Sequence, residues 1–131
     1  EDSILPYCLD HQIGVIVYSP MQAGLLSGAM SHERIEKMDA NDWRRKNPEF
    51  QEPHSSRNLG YAALLTKIGL RYGVAAGVVA IAWTLHHPAV TGAIVGSRSA
   101  AQVDGIVPAA LDFQLSAADY AEINAYATAH P

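Results

Sequence analysis

Apolar positions along the chain follow two periods, and the points where one gives way to the other mark the elements. From about Asp2 to His11, Ile4, Leu5, Cys8 and Leu9 share one face at helical spacing, with Pro6 acceptable in the first turn, so a helix is predicted. Gly14 is read as its stop. Val15-Ile16-Val17-Tyr18 is a continuous β-branched run, the pattern of a strand buried on both faces. Ser19 to Arg57 then holds no sustained period and carries Gly24, Gly28, Pro48 and Pro53. A loop well beyond the usual ~12–15 residues is functional or disordered, with short helical turns expected over Ser31–Met38 and Asn41–Lys46.

Helical spacing returns from Leu59 to Tyr72, with Leu64, Leu65 and Ile68 on one side, and again from Ala75 to His87 through Val79, Ala82, Trp83 and His86. The second of these helices carries Ala75, Ala76, Gly77 and Ala80, small residues that permit close packing on a sheet, and Pro88 stops it. Thr91 to Ser97, centred on Ala93-Ile94-Val95, is the second predicted strand. Ser99 with Gln102, and Ser116 with Asp119, follow the capping-box pattern, so a helix is expected after that strand and another over Ala117–Ala127, stapled by Leu115 and Tyr120. The order is helix, strand, long loop, two helices, strand, helix, helix, the alternation of a parallel α/β architecture.

Composition narrows the functional classes. The 131 residues are 49% hydrophobic and 17% charged, a globular balance with room for one domain. A formal net charge of -4 offers no basic surface to a nucleic acid. The longest apolar stretch, Val74 to Leu85, falls short of the ~20 residues of a membrane span and reads as a buried helix. Cys8 is the only cysteine, which excludes an internal disulfide and fits a cytoplasmic home. The opening Glu1-Asp2-Ser3-Ile4-Leu5 has no initiator Met, basic region or signal-cleavage pattern, so a cut piece of a longer chain is expected rather than an exported protein.

Chemistry concentrates at the two strand ends. Gly96-Ser97-Arg98-Ser99 delivers free backbone amides and a guanidinium fork to the start of a capped helix, a setting for phosphate, although an ordinary strand-to-helix turn with a surface Arg has the same local sequence. Six histidines show no i, i+4 pairing, which argues against a metal site, and Cys8, beside Leu9 on an apolar face, reads as a buried, inert thiol. Trp83 is read as core. Trp43 and Phe50, in the polar loop, either shape a pocket or pin the loop down.

The first strand ends in Tyr18-Ser19-Pro20-Met21, followed by Gly24-Leu25-Leu26-Ser27-Gly28. With Asp42-Trp43-Arg44, Pro48 and Phe50, Ala80-Ile81-Ala82-Trp83-Thr84-Leu85, and Ile94-Val95-Gly96-Ser97-Arg98 followed by Gln102, this series resembles the aldo-keto reductase family in order along nearly the whole chain. The resemblance implies the C-terminal portion of a TIM (β/α)8 barrel, an incomplete α/β barrel over residues 1–131 with the N-terminal half absent, whose last two strands and their loops hold NADP(H). It implies that Tyr18 stacks on the nicotinamide, that Ser19, Pro20, Met21, Gly24 and Leu25 line the path past the pyrophosphate, that Gly96, Ser97 and Arg98 hold the adenosine 2′-phosphate, and that Gln102 faces the adenosine. Gln102 also has a capping role open to it. Family members often carry Asn four residues after this Gln; here the position is Ile106.

The family's acid is a Tyr assisted by a neighbouring Lys, an Asp and a His, all in the N-terminal half. No catalytic residue is therefore expected in this chain, and the small carbonyl substrate would be met by the full-length parent. A non-catalytic NADP-binding or interaction module, as in relatives that serve as channel subunits, is the alternative. Two strands alone leave open edges, so an isolated segment is expected to self-associate.

Overall fold

In the computed structural model, residues 2–130 are described, the side chains of 108–110 excepted. Six α-helices and two strands follow the expected order: α1 (Ile4–Asp10), β1 (Val15–Tyr18), α2 (His32–Glu36), α3 (His54–Tyr72), α4 (Ala76–Leu85), β2 (Val90–Ile94), α5 (Ala100–Asp112) and α6 (Ala117–Ala129). Short 3₁₀ turns occupy Gln22–Ser27, Trp43–Lys46 and Pro48–Phe50 within the long loop.

β1 and β2 pair in parallel, with Ile16 opposite Gly92, Val17 opposite Ala93 and Tyr18 opposite Ile94. Parallel neighbours require a crossover, and α3 and α4 supply it. Their axes meet at 94°. Gly73 makes the corner in the left-handed region at φ 69°, and the Val74 amide bonds back to the Gly69 carbonyl at 3.0 Å. Position 69 must be glycine for a different reason: a methyl there would strike the carbonyl oxygen of Val74.

The core lies in the helical layer. Leu65, Ile68, Ala76, Val79, Ala80, Leu115 and Ile123 are buried together, with Met21, Leu26, Trp83, Phe113 and Tyr120 packed against them. Small residues on α4 let it approach closely, as the sequence suggests; a methyl on Gly77 would lie 2.9 Å from the Met21 sulfur. The Trp83 indole N–H donates to Asn124 Oδ1 at 2.9 Å, which joins α4 to α6.

Several expectations need correction. β1 is not buried on both faces: Ile16 is 66% exposed and Tyr18 81%, because helices cover only the Val15/Val17 face within this chain. β2 ends at Ile94 rather than Ser97, since its partner has no strand residue beyond Tyr18 and Ser19 turns away at φ 54°. The left-handed residue after α1 is Gln12 at φ 55°, not Gly14. α3 starts at His54, five residues before Leu59, because Ser55 and Asn58 face inward although polar.

α3 and α6 are joined by a polar cluster centred on Asp119, which is 3% exposed. Its carboxylate accepts from Arg71, Tyr72 and the Ser116 hydroxyl (2.7 Å), and its amide donates to that hydroxyl at 3.1 Å. Arg71 also bonds Glu122 at 2.9 Å. The Tyr72 and Ser116 hydroxyls, with Arg71, hold the Asp119 carboxyl below the ordinary Asp range.

Because Arg71 is 40% exposed and can rehydrate, removing its buried partner should cost less than the ~3–5 kcal/mol of a fully buried pair. Asp119→Ala is expected to lower stability by about 2 kcal/mol in urea unfolding. The lowered folded pKa means that this contribution is intact above the unfolded Asp value and is lost as pH falls through the folded one, so the wild type and Asp119→Ala should converge in acid. A constant difference between them down to acid pH would contradict this account.

Candidate functional site

The register that puts Tyr18 opposite Ile94 sends two loops off the same end of the sheet, Ser19–Gly28 from β1 and Val95–Ser99 from β2. All ten residues singled out in the sequence belong to these loops, the strand end before them or the first turn of α5. Tyr18 closes β1 with its ring in the open. Ser19 reverses the chain, and Pro20 follows at the rim of a cavity of about 440 Å³ that Tyr18, Glu49, Arg57 and Trp83 also line.

The first loop is conformationally costly. Ser19, Gln22 and Ala23 adopt φ of 54°, 47° and 52°, and Gly24 has φ 99°. Non-glycine residues in this region cost on the order of 1–3 kcal/mol each and persist only where their surroundings hold them. Here Leu25 is fully buried beneath the turn, the Ser27 hydroxyl donates to the Gly24 carbonyl at 2.7 Å, and the amides of Gly24 and Leu26 both donate to the Met21 carbonyl, at 3.0 and 3.2 Å. Leu25 spends its side chain on the core, so it can meet a ligand only through its backbone, whereas Met21 packs on the core but stays partly exposed.

A pair from the long loop braces the same turn. Arg44 donates Nε to both Asp42 carboxylate oxygens, at 3.0 and 3.2 Å, and Nη2 to Oδ2 at 2.5 Å, while Nη1 lies 3.5 Å from the Ala23 carbonyl oxygen. Phe50, buried, lies under the guanidinium with 5.9 Å from its centre to the ring. Asp42 also caps the turn it begins, accepting from the Arg44 amide at 3.0 Å. Hydrogen bonds from Arg44 are the main reason the Asp42 carboxyl falls to about 2, and the charge of Arg98 adds to them. Asp42 thus feels the arginine of the second loop as well as that of its own. Of the two loop aromatics, Phe50 pins the loop and Trp43 is left 62% exposed.

The second loop is open beyond its first residue, Val95, which is half-buried. Gly96, Ser97, Arg98 and Ser99 are exposed. The Gln102 side-chain oxygen accepts from the Arg98 amide at 2.8 Å, and the Gln102 amide lies 3.4 Å from the Ser99 hydroxyl. Gln102 therefore fixes the turn that presents Arg98, reaching one residue beyond the cap that the pattern suggests. Ile106, one turn on along α5, is half-buried.

The sequence reading passed over Glu49 and Asn58. Asn58, nearly buried, donates to the Glu49 carbonyl at 3.0 Å and to its carboxylate at 2.8 Å, and Arg57 adds a bond of 2.9 Å. The Asn58 bond, with Arg57 and His54 nearby, lowers the Glu49 carboxyl. A signal was present: Ser55, Asn58, Ala62 and Leu65 continue the helical spacing once polar residues are allowed on the inner face. Among the described residues no group of three His, Cys, Asp or Glu is placed to hold a metal ion, and no single helix is long and apolar enough to cross a membrane.

Comparison with known proteins gives a consistent result. The model of the Aldo/keto reductase family matches residues 1–128. Aldo-keto reductase YhdN of Bacillus subtilis (strain 168) is 32% identical over 107 residues, which are 81% of this chain and 32% of that protein. The aldo-keto reductase yakc of Schizosaccharomyces pombe, whose name specifies NADP(+), is 27% identical over 85 residues, 65% of this chain and 24% of its own. Glycerol dehydrogenase AKR11B4 from Gluconobacter oxydans superposes with a TM-score of 0.85 at 27% identity, covering 98% of this chain and 38% of that one. The chain therefore spans roughly a quarter to two-fifths of the length of these relatives.

The Asp42–Arg44 pair gives a direct check on the geometry of the braced turn. In a carboxyl NMR titration Asp42 is expected to titrate near 2. Its contribution is present above the unfolded Asp value of 3.8 and is lost as pH falls through about 2. Arg44→Met should return the midpoint toward 3.8. A wild-type midpoint already at that value would mean that the pair is not formed.

Proposed function

Because this chain belongs to the aldo/keto reductase family, we propose that it is the C-terminal, cofactor-holding segment of a single barrel domain whose parent enzyme reduces an aldehyde or ketone with NADPH. The carrying observation is the parallel register: with Tyr18 opposite Ile94, a braced turn and a presented arginine stand side by side at one sheet end. Ligands of parallel α/β barrels bind at this end, with phosphate sites frequent in the loops after the last two strands.

The residues suit a dinucleotide. The exposed Tyr18 ring at the strand end offers a flat face for the nicotinamide, and the turn from Ser19 to Leu25 brings backbone close to a pyrophosphate. Gly96 and Ser97 lead to Arg98, whose guanidinium fork matches the 2′-phosphate of adenosine. Among the described residues no carboxylate lies within ion-pair distance of Arg98, so its charge is available. Gln102 orients that arginine through its amide and borders the adenosine. Ile106 offers the adenine no hydrogen bond, which leaves recognition to the phosphate end.

When bound, the cofactor supplies a hydride; this chain positions it. The proton donor is assigned to residues that precede this segment in the parent, and the segment itself carries no catalytic residue. The NADP(+) in the name of the fission-yeast relative supports the cofactor choice. The small carbonyl substrate is a partner of the whole protein. The cytoplasm is the proposed compartment, since the lone Cys8 fits a reducing environment.

Arg98→Ala in the full polypeptide should weaken NADPH binding by about 1.5–3 kcal/mol, the worth of a hydrogen bond to a charged group, and leave NADH nearly unchanged. Titration of the intrinsic fluorescence with each cofactor measures both. Equal losses for the two would remove the 2′-phosphate assignment.

A further inference from the structure

The alignment of the two strand ends depends on an irregularity in β2. Val15 stands opposite Val90, but Ile16 stands opposite Gly92, so Thr91 is one residue too many and has no partner in β1. Its side chain holds it there: the Val15 amide donates to Thr91 Oγ1 at 3.1 Å. Gly14 leaves room for that hydroxyl, since a methyl at position 14 would lie 3.1 Å from the same oxygen, tighter than an ordinary contact.

The bulge changes where β2 delivers its side chains. In a regular strand they alternate, so Val90 and Ala93 would face opposite sides. Across the bulge both instead stand beside the helix-facing Val15 and Val17, and Ile94 shares the open face with Tyr18. Without the extra residue Tyr18 would stand opposite Ala93, and the loop beyond β2 would be displaced by one residue, about 3.3 Å. Hydrogen bonds to a phosphate span only about 2.7–3.2 Å, so a displacement of that size takes the Arg98 fork away from an oxygen it should meet.

We propose that Thr91 is a positioning residue of the dinucleotide site, its hydroxyl holding the bulge that sets Arg98 against the Ser19–Gly28 turn. This rests on the dinucleotide reading given above. Thr91 is exposed and lies near the start of β2, at the other end of the strand from the loops, so it acts through the strand and not by contact with the ligand.

The test compares two variants of the full polypeptide: Thr91→Val, which keeps the shape and removes the acceptor, and Thr91→Ser, which keeps the acceptor. Thr91→Val is expected to speed hydrogen exchange at the Val15 amide and to weaken NADPH by about fivefold, the equivalent of one neutral hydrogen bond, with NADH nearly unchanged. Thr91→Ser should stay near the wild type. Gly14→Ala crowds the same hydroxyl from the opposite strand and should repeat the Thr91→Val pattern. In an Arg98→Ala background Thr91→Val should cost NADPH nothing further, because the two act as one unit.

Unchanged NADPH affinity in Thr91→Val would overturn the proposal, whether or not Tm falls, since a merely structural residue behaves that way. So would unchanged exchange at Val15, equal losses for NADPH and NADH, or additive losses with Arg98→Ala. If the wild type binds NADPH and Thr91→Val binds it equally well, the dinucleotide reading stands without this role for Thr91. If the wild type binds neither dinucleotide, that reading falls and the positioning role falls with it.

Discussion

Two parallel strands can be neighbours only if the chain between them crosses from the end of one to the start of the other, and that requirement organises this molecule. The crossover is long because it does two jobs. Its second part, α3 and α4, turns through 94° at Gly73 and carries most of the core. Its first part, from Ser19 to Pro53, begins at the exit of β1 and packs its first 3₁₀ turn against α3 and α4 and its last against α3. With Tyr18 fixed opposite Ile94, whatever follows β1 and whatever follows β2 must share one end of the sheet. The braced turn and the Arg98 loop are adjacent for that reason alone.

Stability and site are divided between the two faces of the sheet. Val15 and Val17 face the helices, while Ile16, Tyr18 and Ile94, the last 60% exposed, face away from them. The helical layer is held by apolar packing and by the Asp119 cluster, far along the chain from either loop. Strain in the Ser19–Gly24 turn is offset locally, by the burial of Leu25 and by the Arg44 brace. Met21 joins the two regions: its carbonyl anchors the turn and its sulfur packs over Gly77.

Much of the fold was legible because its signals are local. The β-branched run at Val15–Tyr18 marks β1 to the residue, and Ser116 with Asp119 marks the start of α6. What was not legible depended on partners distant in sequence. Nothing in Thr91–Ser97 says that β2 stops at Ile94, since the limit is set by Ser19 turning away 75 positions earlier in the chain. The polar start of α3 hid Ser55 and Asn58, whose burial is permitted by Glu52 and Glu49 respectively. The site was legible as a set of motifs, Tyr18-Ser19-Pro20 and Ser97-Arg98, but the brace that shapes it was not: Asp42 and Arg44 stand two residues apart with no pattern announcing that they support Ala23.

The central claim is that the two strand-end loops form one dinucleotide site. Hydrogen–deuterium exchange of the full polypeptide with and without saturating NADPH tests it directly, because amides are read loop by loop. The account predicts that residues 19–28 and 96–102 gain protection together, with the α3–α6 contact unchanged. Protection of one loop without the other, or of neither, would contradict it.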